Sequence, residues 1–116
     1  MDSRLEKYLV DIQIASKEIE EFLDKFGRRF DIFKSNMLYY KAILINLAII
    51  GEAMSRMLKI DPELSISSSR KIVNTRNYVI HGYDSLTPEI LWNIVINHLP
   101  VLKTEVDDLL KQFPDS

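Results

Sequence analysis

The stretch AILINLAIIGEAMSRM, residues 42–57, decides the fold. Between Ala42 and Ile50 only Asn46 is polar, so no apolar/polar alternation of period two runs through it. The spacing instead predicts a helix that begins near Asp31 or Ser35 and ends near Leu58. A helix that is apolar nearly all round has to be covered on several sides. In a chain of 116 residues, one of those covers is expected to be a second copy of the chain. Gly51 and Ala53 lack bulk and would let another backbone come close. The apolar run itself, residues 42–51, is far short of the ~18 residues that a bilayer span requires.

Working outward, three further segments read as helices. Leu5, Tyr8, Leu9, Ile12, Ala15, Ile19, Phe22, Leu23 and Phe26 recur at steps of three and four, with charges on the other face. Asp2 or Ser3 is placed to cap this helix, and Gly27 to close it in a left-handed conformation. Residues 61–69, DPELSISSS, read as a loop, and a shorter helix fits Arg70 to about His81, with Gly82 as its stop. Thr87 as N-cap, Pro88 at the first helical position and Glu89 in the first turn start the last helix. Pro100 lies inside that helix and is expected to kink it, because it removes a backbone donor and crowds the carbonyl of Ile96. The expected fold is all-α: one domain over residues 1–116, an up-and-down bundle of four main helices that dimerises.

Composition narrows the functional classes. Net charge is −2, so any nucleic-acid contact has to use a local patch rather than a global basic field. The absence of cysteine rules out disulfides and thiolate metal sites. Charges interrupt every apolar run at the N-terminus, which does not read as a signal peptide; a cytoplasmic location is expected, with no membrane partner.

The chemistry-bearing residues gather in TRNYVIHGYD, residues 75–84. Imidazole gives or takes a proton near neutral pH, and guanidinium offers phosphate a fixed fork of donors. Asn77 and His81 share a helix face; Arg76 and His81 lie five residues apart, about 140° round an α-helix. A single regular helix therefore does not aim both at one atom. Either the helix end unwinds at Gly82, or two such helices from two chains build a shared site. In RNA the internal nucleophile is the 2′-hydroxyl, and two histidines would supply base and acid without a metal. The same residues also suit plainer roles: a histidine at a helix end, an arginine in a surface ion pair, Tyr83 as an edge aromatic. His98, Tyr39, Tyr40 and Trp92 read as structural.

The stretch RNYVIHGY resembles the R-x4-H-x-Y motif of the HEPN superfamily, in its small HepT-like toxin branch. NLAIIGEAMSRM, residues 46–57, is similar to that family's second-helix signature, and residues 86–106, LTPEILWNIVINHLPVLKTEV, to its last helix. The resemblance covers about residues 4–112. It implies a helical bundle that pairs as a homodimer and works as a metal-independent endoribonuclease without a cofactor. It also implies a partner, a minimal nucleotidyltransferase antitoxin that silences the nuclease by transferring AMP to the motif tyrosine. Carried over by residue, Arg76 and His81 are catalytic, Asn77 supports phosphate binding, and Tyr83 is the AMP acceptor. Glu52 would line the cleft without a proton-transfer role. This chain departs from family usage in having no tryptophan in SISSSRK, residues 65–71, and in placing Asp84 after Tyr83.

Arg56, Lys59, Arg70, Lys71 and Arg76 are expected to line a basic cleft. The leading expectation is a ribonuclease toxin subunit. The alternative is a non-catalytic nucleotide-binding accessory subunit of a nucleotidyltransferase, with Arg76 on a nucleotide phosphate. A plain dimeric scaffold is a third reading.

Overall fold

Residues 1–67, 69–81 and 87–113 are described by the structure, a computed structural model, the side chains of residues 69, 70 and 78–81 excepted. Helices α1 (Arg4–Phe26), α2 (Phe30–Ser35), α3 (Met37–Ile60), α4 (Ser69–His81), α5 (Pro88–Asn93) and α6 (Leu99–Leu110) follow in order, with a π-helical turn, Ile94–His98, joining α5 to α6. Among the described residues there is no strand. Four long helical stretches, α1, α3, α4 and α5 through α6, make the all-α bundle that the periodicity predicts. The stop expected at Gly82 lies outside the described residues.

α1 buries Leu5, Leu9, Ile12, Ala15, Ile19 and Leu23 along one stripe. The Asp2 carboxylate accepts the Arg4 N–H at 2.9 Å, so Asp2 rather than Ser3 serves the helix start. At the other end Gly27 sits at φ 97°, in the region that disfavours a side chain, and its N–H reaches the Leu23 carbonyl at 2.9 Å.

The single helix expected from Asp31 or Ser35 to Leu58 is in fact two. Asn36 adopts an extended conformation and accepts the Tyr39 N–H on its side chain at 3.1 Å, capping α3. An asparagine side chain competes with the helix ladder for backbone donors, and here it wins. The corner lets Phe33 and Tyr39 turn inward together. Their rings meet edge to face at 5.4 Å, and Trp92 lies 5.1 Å from Phe33. Tyr39 is fully buried, with its hydroxyl donating to the Gly27 carbonyl at 3.0 Å. Tyr39 and Trp92 are thus packing residues, as expected.

α3 is the central helix, with α1 and α4 making the most extensive contacts against it. It buries Ile43, Leu47, Ile50, Met54 and Met57; the one polar residue of the apolar run, Asn46, donates back to the Ala42 carbonyl at 2.9 Å. Taken over 18 residues rather than as an uninterrupted run, α3 reaches a mean hydropathy of 1.4 and is long and apolar enough to cross a bilayer. The core helix of a helical bundle has the same composition for a different reason: its neighbours, not lipid, cover it. The cover is incomplete. Leu38, Ile45 and Ile49 remain 64%, 55% and 47% exposed.

The kink expected at Pro100 takes another form. The Leu99 N–H reaches back five residues to the Ile94 carbonyl, and the widened turn places Pro100 in the first turn of α6. A proline there lacks an N–H that the first turn of a helix does not need. Thr87 caps α5 through the Ile90 N–H at 3.3 Å, as the Thr-Pro-Glu signal predicts. The loop before α4 is tied to α6 by Glu105, whose carboxylate accepts from the N–H and the hydroxyl of Ser67, each at 3.1 Å.

Candidate active site

Gly51 determines how closely α4 approaches α3. A Cβ at this position would lie 2.5 Å from the Ile72 carbonyl oxygen and 3.0 Å from the Arg76 Cβ. The neighbouring group is backbone and cannot swing away, so only glycine permits this crossing. The close approach carries the next residue, Glu52, to Arg76, which is 24 positions away in sequence. Gly51→Ala is therefore expected to destabilise the fold. A gain of about 1 kcal/mol in helix propensity is outweighed by overpacking of about 1–3 kcal/mol. The denaturation midpoint should fall, and activity should fall further than the folded fraction does, because Arg76 is displaced.

Glu52 takes two guanidiniums. Its Oε1 accepts from Arg56 Nε at 3.0 Å, one helical turn on, and its Oε2 accepts from Arg76 Nε. Arg76 Nη1 in turn donates to Asn77 Oδ1 at 2.9 Å. Asn77 thus orients the arginine, while Arg76 Nη2 has no bonded partner among the described residues. The arginine side chain is 30% exposed and Glu52 39%, so the group is open to a ligand. The Arg56 hydrogen bond, followed by that of Arg76, holds the Glu52 carboxyl below its ordinary range against the opposing effect of burial. A lowered carboxylate pKa in the folded state makes Glu52 stabilising at neutral pH. That contribution is lost only as pH falls below the ordinary carboxylate range and through the lowered value.

His81 is the last residue of α4, and the helix is regular from Arg76 to this point. Positions 76 and 81 are therefore about 140° apart round the axis. The His81 side chain, Tyr83 and Asp84 lie outside the described residues. Arg76, Asn77 and Glu52 are brought together. The tight pairing of Glu52 with the arginine goes beyond what the sequence suggests.

The expected basic cluster is split. Arg56 and Arg76 share Glu52, but Lys71 turns to the other side of α4, where its Nζ lies 3.4 Å from Nε2 of His98 on the π-helical turn. His98 thus has company that the sequence does not suggest, and the Arg70 side chain lies outside the described residues. Basic groups that sequence spacing missed come from α1. Lys7 and Tyr8 join Ile49, Glu52 and Arg56 around an open groove of about 400 Å³. Arg4, Lys7, Arg56 and Lys59 line its continuation, of about 460 Å³. These residues are far apart in the chain; only the antiparallel packing of α1 on α3 joins them.

An all-α bundle with an arginine held at a helix–helix crossing, beside an open groove lined by Lys7 and Arg56 and by Asp11 and Glu52, defines a helical protein with a candidate anion-binding arginine. Residues 12–109 match the family model for "Ribonuclease HepT-like" proteins, and the chain belongs to this HepT-like family. "Putative RNase MJ0127" of Methanocaldococcus jannaschii is 30% identical over 90% of this chain and 85% of its own length. "Probable ribonuclease HepT" of Thermococcus cleftensis is 31% identical over 90% of this chain and 94% of its own. No solved structure matches the chain significantly.

Proposed function

We propose that the chain is a metal-independent endoribonuclease, the toxin of a two-gene module, with its site shared between two copies of the chain. The observation that carries this reading is the Arg76 guanidinium, held by Glu52 and Asn77, with Nη2 unbonded among the described residues, within a chain of a ribonuclease family. Arg76 steadies the charge that builds on phosphorus. One His81 takes the proton of the 2′-hydroxyl as the O2′–P bond forms. The His81 of the second copy protonates the 5′ oxygen as the P–O5′ bond breaks, leaving a cyclic phosphate and a 5′-hydroxyl end.

Two features support the pairing. With α4 helical through His81, positions 76 and 81 diverge on one chain, so a second chain is the simpler way to bring both groups to one phosphate. The exposed Leu38, Ile45 and Ile49 lie on α3 in line with Glu52 and Arg56, at helical steps of seven, four, three and four. An apolar stripe that ends at the candidate site suits an interface with the site at its edge. The cytoplasm, where RNA and a partner enzyme are found, is the compartment that this reading requires.

The test is to incubate the purified chain with tRNA and with mRNA in EDTA and to map the ends. Cleavage leaving 5′-hydroxyl ends is expected, with a dimer in sedimentation equilibrium. Intact RNA overturns the reading. In the same reading a minimal nucleotidyltransferase joins the Tyr83 phenol to the α-phosphorus of ATP, releasing pyrophosphate, and so silences the nuclease. Tyr83→Phe is expected to cut RNA as well as the wild type and to take up no labelled AMP. Labelling of that variant would remove Tyr83 as the acceptor.

A further inference from the structure

Glu52 engages one guanidinium with each carboxylate oxygen: Arg56 on Oε1, from its own helix, and Arg76 on Oε2, from α4. Arg76 is then held at two ends of its plane, at Nε by Glu52 and at Nη1 by Asn77. A planar group held at two points resists rotation, and among the described residues both N–H bonds of Nη2 and one of Nη1 are left unbonded, at the Nη end of the plane. As a tether between helices the ion pair is weak. With the partners 30% and 39% exposed, it is worth about 0–1 kcal/mol. The crossing itself is held by the close backbone approach at Gly51 and the buried Ile72.

We propose that Glu52 is a positioning residue for Arg76: held in place by Arg56, it turns the Nη edge of the guanidinium toward the phosphodiester and covers the Nε side. This rests on the ribonuclease reading of the same site. The carboxylate also sets a trade. It offsets cationic charge at the place where an RNA phosphate would sit, so it weakens ground-state binding while it improves alignment in the transition state. A group that acts this way raises kcat without lowering KM.

The experiment compares wild type, Glu52→Gln and Glu52→Asp on one RNA. It measures kcat and KM on the cleavable strand, and the affinity and salt dependence of binding to its fully 2′-O-methylated copy, which cannot be cut. Glu52→Gln is expected to lose about tenfold or more in kcat, to bind the methylated RNA several-fold tighter, and to show a steeper salt slope. The slope should steepen by about 0.7 for each guanidinium released to phosphate. Glu52→Asp keeps the charge but falls short of Arg76, so it should keep the wild-type salt slope and still lose kcat. This variant carries the test if Glu52→Gln does not fold. Unchanged kcat in both folded variants overturns the proposal. So does a kcat loss in Glu52→Gln that only follows the folded fraction, with an unchanged salt slope. If the wild type cuts no RNA but Glu52→Gln still shifts the salt slope, the ribonuclease reading fails and the orienting of an anion by Arg76 stands.

Discussion

His81→Ala is expected to lower RNA cleavage by about 10²–10⁴-fold, the range typical for loss of a positioned acid–base group. The reaction needs a proton removed from the 2′-hydroxyl and another delivered to the departing oxygen. In a paired site both steps fall to the same residue type. The wild type should therefore show a bell-shaped dependence of kcat/KM on pH, one limb for the neutral imidazole and one for the charged. His81 is the terminal residue of α4, where alanine keeps the helix, so the variant should still fold and dimerise. The measurement is single-turnover cleavage with sedimentation of the same sample. A dimeric His81→Ala protein that cuts at the wild-type rate removes His81 from the mechanism.

Arg76→Ala is expected to cost about 10²–10³-fold in kcat, the usual effect of removing one preorganised donor to a developing anion. Arg76→Lys should recover only part of this. An ammonium keeps the charge, but it has no planar fork to be held between Glu52 and Asn77 and presented to a phosphate. Neither change should unfold the protein. Glu52 keeps Arg56 as a partner, and a pair this exposed contributes about 0–1 kcal/mol. Cleavage rates with thermal melts of the three proteins decide the matter. A full rate in Arg76→Lys would mean that charge alone suffices and that the held geometry does not matter.

The fold could largely be read in advance because its signals are local. The Leu5-to-Leu23 stripe, the positive-φ Gly27 and the Thr87-Pro88-Glu89 start depend on residues within one or two turns of each other. Two misses were also local in origin. Asn36 looks like an ordinary polar residue in a helical run until its side chain is seen to take the Tyr39 N–H. Pro100 marks trouble in a helix, but a proline does not say whether the chain will bend or insert a π-helical turn.

The candidate site was legible as residue types and only partly as geometry. The sequence by itself determined that an arginine, an asparagine and a histidine would share one short helix, because the period of the α-helix is the same wherever that helix is placed. It also settled the all-α class, since apolar residues recur at that period in the first and last helices and no segment alternates with period two. Only the tertiary structure decided that Glu52 binds Arg76, that Lys71 faces away toward His98, and that Lys7 and Tyr8 join the groove. Each of these depends on the crossing of two helices. The crossing of α3 and α4 that joins Glu52 to Arg76 follows from a backbone contact at Gly51 across 20 or more residues of intervening chain, and spacing along the sequence carries no record of it.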